Sequence, residues 1–254
     1  MRKQEAAWIG QKLRALDGQR VVLNLGSGSK RFREVSKPYI DRDIFDPLVR
    51  SGARVVHADL KSGEGIDISG DMFDPAIQAR LRGLGPDTLI ACNIMEHLPK
   101  DFRERFPAAL DAMLAPGGVL VITVPYSYPY HADPIDTLYR PSPQELCALF
   151  PRYEVLEART IESESYGDEF IAGGPVRMVR KVLRMLFPFV RPKRWFSHAH
   201  RMTWLFRPYK LSGVVLRKPL MLLAAFLLMD AVSAPGCEDD VETVAAVYEV
   251  TRSS

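Results

Sequence analysis

The sequence contains little cysteine and no apolar run long enough to cross a membrane. Its three cysteines, Cys92, Cys147 and Cys237, are widely spaced and form no CxxC pair. This pattern disfavours a disulfide framework or a zinc site, so no metal site is predicted, and a reducing, cytoplasmic setting fits it best. The longest apolar run, 220–229, has about half of the roughly 20 residues that a membrane-spanning helix requires. No apolar stretch follows the basic first residues, so we expect no secretory signal.

Acidic residues are absent from a long segment in the last third of the sequence. Between Phe170 and Met229 the chain has twelve Lys and Arg but no Asp or Glu, and the other 22 of its 34 basic residues share the rest of the chain with all 31 acidic ones. The twelve are Arg177, Arg180, Lys181, Arg184, Arg191, Lys193, Arg194, Arg201, Arg207, Lys210, Arg217 and Lys218. This charge asymmetry indicates an anionic partner.

Short apolar runs separated by helical patterns predict an α/β fold. The predicted strands are 21–25, 54–58, 65–68, 88–92, 119–124, 153–161 and 241–251, and helical patterns cover 2–16, 101–114 and 142–150. Buried runs rich in β-branched residues are typical of parallel strands. We therefore expect a Rossmann-like, doubly wound, seven-stranded sheet in a single domain over 1–254. Residues 162–240 would form a basic, aromatic helical insertion between the sixth and seventh strands.

The first predicted strand leads directly into a glycine-rich turn, Gly26-Ser27-Gly28-Ser29. Glycine lets the backbone turn sharply and come close to a ligand. A nucleotide-like ligand bound at the carboxyl end of the sheet would lie over this turn. The third glycine of the dinucleotide fingerprint would fall at position 31, which is arginine. The sequence therefore disfavours a site for NAD.

Five segments, in order, resemble the motifs of class I S-adenosylmethionine-dependent methyltransferases. They are VLNLGSGS at 22–29, Asp59, Gly70-Asp71-Met72, NIMEHLP at 93–99 and LAPGGVL at 114–120, and they span roughly residues 20–125. The resemblance implies that the chain transfers a methyl group and binds S-adenosylmethionine. It assigns the cofactor to Asn24, Gly26, Ser27, Gly28, Asp59, Asp71, Met72 and Asn93. Asp59 would hold the ribose hydroxyls, and Asp71 and Met72 would flank the adenine.

The chain departs from the family's pattern at two places. Asn24 stands where the family often has an acidic residue, which leaves open a non-catalytic S-adenosylmethionine-binding module as an alternative to an enzyme. The segment before Asp59 is irregular, so Asp41 or Asp43 could take the ribose role instead. We prefer Asp59, because an apolar strand leads into it.

The candidate catalytic residues lie after the fourth and fifth strands. Three tyrosines precede His131, and Asp133 follows it. Histidine is the natural base near neutral pH, so His131 is the first candidate and His97 the second. Alternatively, His131 and Asp133 brace a proline-rich loop, and Glu96 caps the helix that follows it.

The sequence indicates only the general class of the methyl acceptor. The loop around His131 resembles a methyltransferase subgroup found beside carbohydrate and cell-envelope genes. This resemblance implies O-methylation of a small-molecule, carbohydrate or lipid-linked envelope acceptor. The Asn/Asp-Pro-Pro-Tyr/Phe motif of enzymes that methylate amino groups of bases or glutamine is absent after the fourth strand.

The basic segment has three interpretations. Residues 175–188 form an amphipathic pattern with Arg177, Arg180, Lys181 and Arg184 on one arc. Such a helix can lie on an anionic membrane, so 175–229 could attach a cytoplasmic protein to the inner face of the membrane. It could also be a lid with a solvated basic face, or an RNA surface that would make the chain an RNA methyltransferase.

Overall fold

The computed structural model describes residues 1–16, 18, 21–130, 135–172, 174, 179 and 206–220. The chain divides into two units, Met1–Lys218 and Pro219–Ser254. Only Pro219 and Leu220 of the second unit are among the described residues, so the fold given below is that of the first. In the described part of the chain no helix is long and apolar enough to span a membrane.

The predicted seven-stranded α/β sheet is confirmed. The strands are β1 (Val21–Leu25), β2 (Arg54–Asp59), β3 (Ile68–Ser69), β4 (Thr88–Cys92), β5 (Val119–Ser127), β6 (Glu154–Ser165) and β7 (Pro208–Arg217). Their order in the sheet is β3-β2-β1-β4-β5-β7-β6. The first five strands are parallel to one another, and β7 is antiparallel to both β5 and β6. The chain changes direction across the sheet between β1 and β4, which is where ligands bind in open α/β sheets.

Helices cover both faces of this sheet. They are α1 (Lys3–Arg14), α2 (Asp46–Arg50), α3 (Pro75–Arg82), α4 (Lys100–Met113), α5 (Pro143–Ala148) and α6 (Tyr166–Ala172). Short π-helical turns lie at Phe32–Ser36 and Asp41–Phe45, and a 3-10 turn lies at Met95–His97. A capping box begins α5, because Ser142 Oγ accepts from the Glu145 amide and the Glu145 carboxylate accepts from the Ser142 amide.

The core consists of two apolar layers on opposite sides of the sheet. Val22 and Leu23 belong to different layers, since successive strand residues point to opposite faces. The layer under α3, α4 and α5 includes Leu81, Phe106, Leu110 and Leu146. The other layer, under α1 and α2, includes Trp8, Ile9, Leu13 and Leu48. The two layers hold the strands in register, so the loops at their carboxyl ends are positioned together.

The location of the seventh strand differs from the sequence-based expectation. The strand predicted at 241–251 lies outside the described residues, and β7 lies within 162–240, the range assigned to a helical insertion. Leu211, Val214 and Leu216 of β7 are fully buried between β5 and β6. Pairing with a strand on each side thus imposes an extended conformation on residues that the charge pattern grouped with a helical segment.

Basic residues in and directly after β7 pair with acidic residues of the domain. Lys210 Nζ lies 2.6 Å from Glu162 Oε1, and Arg217 Nη1 lies 3.7 Å from Glu154 Oε2. Both acids belong to the neighbouring strand β6. Lys218 Nζ lies 3.4 Å from Asp111 Oδ1 on α4. Three of the twelve residues in the basic segment therefore have partners within the sheet domain.

Candidate functional site

A cavity of about 790 Å³ opens at the carboxyl ends of β1, β2 and β4. Six of the eight predicted cofactor-binding residues line it, namely Gly26, Gly28, Asp59, Asp71, Met72 and Asn93, and so does the second catalytic candidate, His97. Each of these residues follows or ends a strand, or lies just beyond β3. The parallel sheet brings them together because its first five strands end at the same edge. We call this space the larger cavity.

The turn after β1 is fixed against β2 by hydrogen bonds. The Ser27 amide donates to the Ala58 carbonyl at 3.1 Å, and the Gly28 amide donates to Asp59 Oδ2 at 2.8 Å. Gly26 and Gly28 both have φ of 63°, a left-handed conformation that favours glycine. A Cβ added to Gly28 would lie 2.9 Å from the ring of Phe32. Glycine is therefore required here both by the backbone conformation and by the space.

Asp59 lines the larger cavity and is held beside the glycine turn. Oδ1 accepts from the Lys61 amide at 3.1 Å and Oδ2 from Gly28. Each carboxylate oxygen can accept a second hydrogen bond, so the group retains capacity for two ligand hydroxyls. The competing candidates do not line the larger cavity: Asp41 pairs with Arg33 and Asp43 with Arg42.

The far wall of the larger cavity combines one carboxylate with apolar side chains. Asp71 is exposed and accepts from the Phe73 amide through Oδ1 at 2.9 Å. Met72, Phe73 and Ile77 line the cavity beside it and pack partly on the core. A flat, apolar ring with polar edges fits such a wall, since its faces contact carbon atoms and its edge can reach Asp71.

Asn24 and Ser27 line a second, smaller cavity instead. Its volume is about 280 Å³, and it shares Leu25, Gly26, Phe32, Asn93 and His97 with the larger cavity. The Asn24 amide lies 3.1 Å from His57 Nδ1. Burial lowers the pKa of His57 to about 4, so its ring is neutral and can accept from Asn24. That amide is therefore already engaged by β2.

Glu5 of α1 reaches into the smaller cavity and joins three parts of the chain. Its side chain is fully buried. Oε1 accepts from Asn93 Nδ2 at 2.6 Å and from the Thr123 hydroxyl at 2.5 Å, and Oε2 accepts from the Arg2 amide at 2.7 Å. Asn93 has φ of 55°, which is uncommon outside glycine. The Glu5 carboxylate thus holds a strained residue at the junction of the two cavities.

Comparison with known proteins identifies this fold. No family model matches the chain, and no curated protein matches it. A SAM-dependent methyltransferase from Archaeoglobus fulgidus superposes with a TM-score of 0.51 at 13% identity, over 86% of this chain and 95% of that one. A Burkholderia thailandensis 1,6-didemethyltoxoflavin-N1-methyltransferase, with a TM-score of 0.47 and 16% identity, matches over 85% of this chain and 78% of that one. The chain has the class I methyltransferase fold.

The environment of Glu96 in this fold could not be inferred from the sequence. It does not cap α4, because that helix starts at Lys100 after Pro99 and has no side-chain cap. Its side chain is fully buried and lines the smaller cavity. Burial raises the pKa of this carboxyl to about 8, and the nearby charge of Glu5 adds to the rise. A carboxyl in this state is mostly protonated at neutral pH.

The two catalytic histidine candidates have different outcomes. His131 lies outside the described residues, as does Asp133, so its role stays a prediction. His97 lines both cavities of the methyltransferase fold. Its Nδ1 bonds to the Ile135 carbonyl, and its Nε2 lies 3.7 Å from Glu96 Oε1. The ring is therefore oriented by the loop after β5, with its second nitrogen turned toward Glu96.

Proposed function

We propose that this chain is an S-adenosylmethionine-dependent methyltransferase that acts on a small-molecule acceptor. The observation that carries the proposal is the Asp59 carboxylate, fixed beside a left-handed glycine turn and facing the larger cavity. A pair of ribose hydroxyls needs adjacent acceptors at the end of the second strand. Asp59 offers two such acceptors, next to backbone that leaves room for a close ligand.

The residues around the larger cavity fit the cofactor in the proposed orientation. The ribose would bind Asp59, and the adenine would lie against Met72 with its edge toward Asp71. The amino-acid end would then extend over Gly26 toward Asn93, where the two cavities meet. When bound, S-adenosylmethionine supplies a methyl group already activated on a positively charged sulfur, so the protein need only position the acceptor and manage its proton.

The smaller cavity supports an acceptor of limited size. Its volume of about 280 Å³ lies just below the usual range of ligand pockets, which measure roughly 300–1,000 Å³. We propose that this cavity receives the acceptor group of a small molecule, a carbohydrate or a lipid-linked envelope precursor, and that an oxygen is methylated. A polymer would have to present a single protruding group.

Cofactor binding can be tested by calorimetry with S-adenosylhomocysteine, the demethylated product. We expect wild-type protein to bind it and Asp59→Asn to bind it about 10- to 100-fold more weakly, because hydrogen bonds to a charged group contribute about 1.5–3 kcal/mol. Asp101→Asn, an exposed change on α4, is the matched control and should bind normally. Absence of heat with this product, together with clear binding of NAD, would contradict the proposal.

Transfer of labelled methyl from S-adenosylmethionine to an envelope extract distinguishes an enzyme from a non-catalytic binding module. Mass spectrometry for products heavier by one methylene then identifies the acceptor. A binding module would take up the cofactor without any labelled product, whereas an enzyme should label a component that is absent when the protein is omitted.

We further propose that residues 175–229 attach the protein to an anionic membrane surface. Nine of the twelve basic residues remain after Lys210, Arg217 and Lys218, which pair within the domain. Eight of these nine lie outside the described residues, and Arg207 is described. Each basic side chain near an anionic surface contributes about 1 kcal/mol, and salt screens the attraction. The three internal pairs weaken this proposal compared with the sequence alone.

Co-sedimentation with anionic and neutral vesicles tests the membrane proposal. We expect binding to anionic vesicles to be lost when Arg177, Arg180, Lys181 and Arg184 are changed together to Glu. Reversal of four exposed basic residues elsewhere, Arg50, Arg80, Arg82 and Lys100, is the matched control. Equal, negligible binding to both vesicle types would favour a lid. Preferential binding to RNA, lost in the first variant, would favour an RNA methyltransferase.

A further inference from the structure

A buried carboxyl group without a hydrogen-bond partner in the described part of the chain belongs to a residue that lines the smaller cavity. Glu96 is fully buried, and neither of its oxygens has a hydrogen-bond partner among the residues that the structure describes. Buried polar groups are nearly always hydrogen-bonded, so an exception calls for an explanation. Glu96 is nevertheless one of the residues that line the smaller cavity. A ligand in that cavity can therefore supply the missing partner.

The position of Glu96 relates it to the place where methyl transfer would occur. Its cavity meets the larger one at a wall formed by Gly26, Asn93 and His97, which line both. A cofactor anchored at Asp59 and extended over Gly26 would bring its sulfur to this junction. An acceptor in the smaller cavity would then lie between the methyl group at the junction and Glu96 in the wall of that cavity.

On the basis of the proposed methyl transfer, we propose that Glu96 is the catalytic base, and that the acceptor carries a hydroxyl or amine whose proton it removes. The acceptor oxygen or nitrogen forms a bond to the methyl carbon, and the bond between that carbon and sulfur breaks with its electron pair remaining on sulfur. The proton of the acceptor passes to the Glu96 carboxylate. The products are the methylated acceptor, a neutral thioether and a protonated Glu96, so charge and atoms balance.

A base must be ionised before it can accept a proton, and the free protein holds Glu96 mostly protonated. Burial raises the pKa of this carboxyl to about 8, the charge of Glu5 raises it further, and Arg140 and the amino group of Met1 oppose the rise. His97 is the other titratable group beside it. A positive sulfonium bound at the junction would lower the pKa of Glu96, because an opposite charge favours the ionised form. Cofactor binding would thus convert Glu96 to the ionised form that can accept a proton.

The effect of a positive sulfur on the pKa of Glu96 should differ between the cofactor and its product. It can be measured without knowing the acceptor. S-adenosylmethionine carries the positive sulfur, whereas S-adenosylhomocysteine has a neutral thioether and the same amino and carboxylate groups. At pH 7 a group with a pKa of about 8 is about 90% protonated, so binding of the sulfonium should release up to about 0.9 proton more than binding of the thioether. Affinity for the sulfonium should also increase as pH rises toward 8, by up to about tenfold per pH unit.

The experiment is calorimetry of both ligands in buffers of different ionisation enthalpy at pH 7, with wild-type protein, Glu96→Gln and Glu104→Gln. Glu104 is exposed on α4 and serves as the matched control. We expect the extra proton release with S-adenosylmethionine in wild type and in Glu104→Gln, and its loss in Glu96→Gln. Glutamine has the shape of the neutral acid, and thermal unfolding checks that the variant is folded.

Each alternative outcome has a defined meaning. Equal proton release with the two ligands in wild type would overturn the assignment of Glu96, and this comparison needs no variant. Extra release that persists in Glu96→Gln would also overturn it and would direct attention to His97. Failure of wild type to bind either ligand would instead contradict the proposed function itself.

Discussion

Replacement of Glu5 by alanine tests whether the first helix organises the site. The Glu5 carboxylate is fully buried and accepts hydrogen bonds from Asn93, from Thr123 and from the Arg2 amide. Alanine would leave the Asn93 amide and the Thr123 hydroxyl without this acceptor. Each buried group that loses its partner costs about 1–3 kcal/mol. For the two groups together we therefore expect the free energy of unfolding to fall by about 2–6 kcal/mol.

The same change should weaken cofactor binding through Asn93. This residue has φ of 55°, and such a conformation costs of order 1–3 kcal/mol unless its surroundings maintain it. Without Glu5 the backbone can relax, and the ligand would have to restore the binding geometry. Affinity for S-adenosylhomocysteine should then fall by at least about fivefold, which corresponds to the lower end of that cost.

Urea unfolding and calorimetry measure these two effects. Glu5→Gln retains one acceptor oxygen, so we expect it to lose less than half as much stability as Glu5→Ala. Gln11→Ala, an exposed change on the same helix, should stay within about 0.5 kcal/mol of wild type. If Glu5→Ala lost less than about 1 kcal/mol, the hydrogen bonds of Glu5 would not stabilise the site and the reasoning would be wrong.

Three further changes test the turn after β1, the core and a helix cap. Gly28→Val should abolish cofactor binding in calorimetry, because its φ is 63° and a Cβ would lie 2.9 Å from Phe32; unchanged affinity would show that the turn does not contact the ligand. Gly213→Ala should lower the free energy of unfolding by about 1–3 kcal/mol through overpacking, since its Cβ would lie 2.9 Å from Trp8. Ser142→Ala removes the cap of α5 and should cost about 0.5–2 kcal/mol; urea midpoints equal to wild type would contradict both stability predictions.

The central part of the sheet was predictable because its strands are buried on both faces. Runs such as 88–92 and 119–124 are apolar at every position or nearly so, and turn residues bound them. The strand β7 lacked this signature, since Lys210 lies near its start and Arg217 at its end. Those charges are neutralised by Glu162 and Glu154 on β6. A partner more than 40 residues away in the sequence cannot be inferred from local composition.

The grouping of residues around the larger cavity was predictable for a different reason. Asp59 and the glycines directly follow apolar strands, and parallel strands deliver their carboxyl ends to a common edge. Glu5 could not be found in this way, because its partners Asn93 and Thr123 are 88 and 118 residues distant. Glu96 stood within a recognised motif, but its burial depends on the loop after β5, where the Thr137 amide donates to the Glu96 carbonyl.

The two cavities are formed by different segments of the chain, and this affects the specificity of the site. The larger cavity is built from residues close in sequence to their strands, whereas the smaller cavity needs α1, the turn after β4 and the loop after β5. A change in α1 or in either loop can therefore reshape the smaller cavity while Asp59 and the glycine turn stay in place. The two cavities share Asn93 and His97, so under the proposed function an acceptor would approach the methyl group beside this wall. Acceptor choice would accordingly depend mainly on the segments that hold Glu5 and Glu96, and cofactor affinity mainly on the strand ends, with Asn93 linking Glu5 to both.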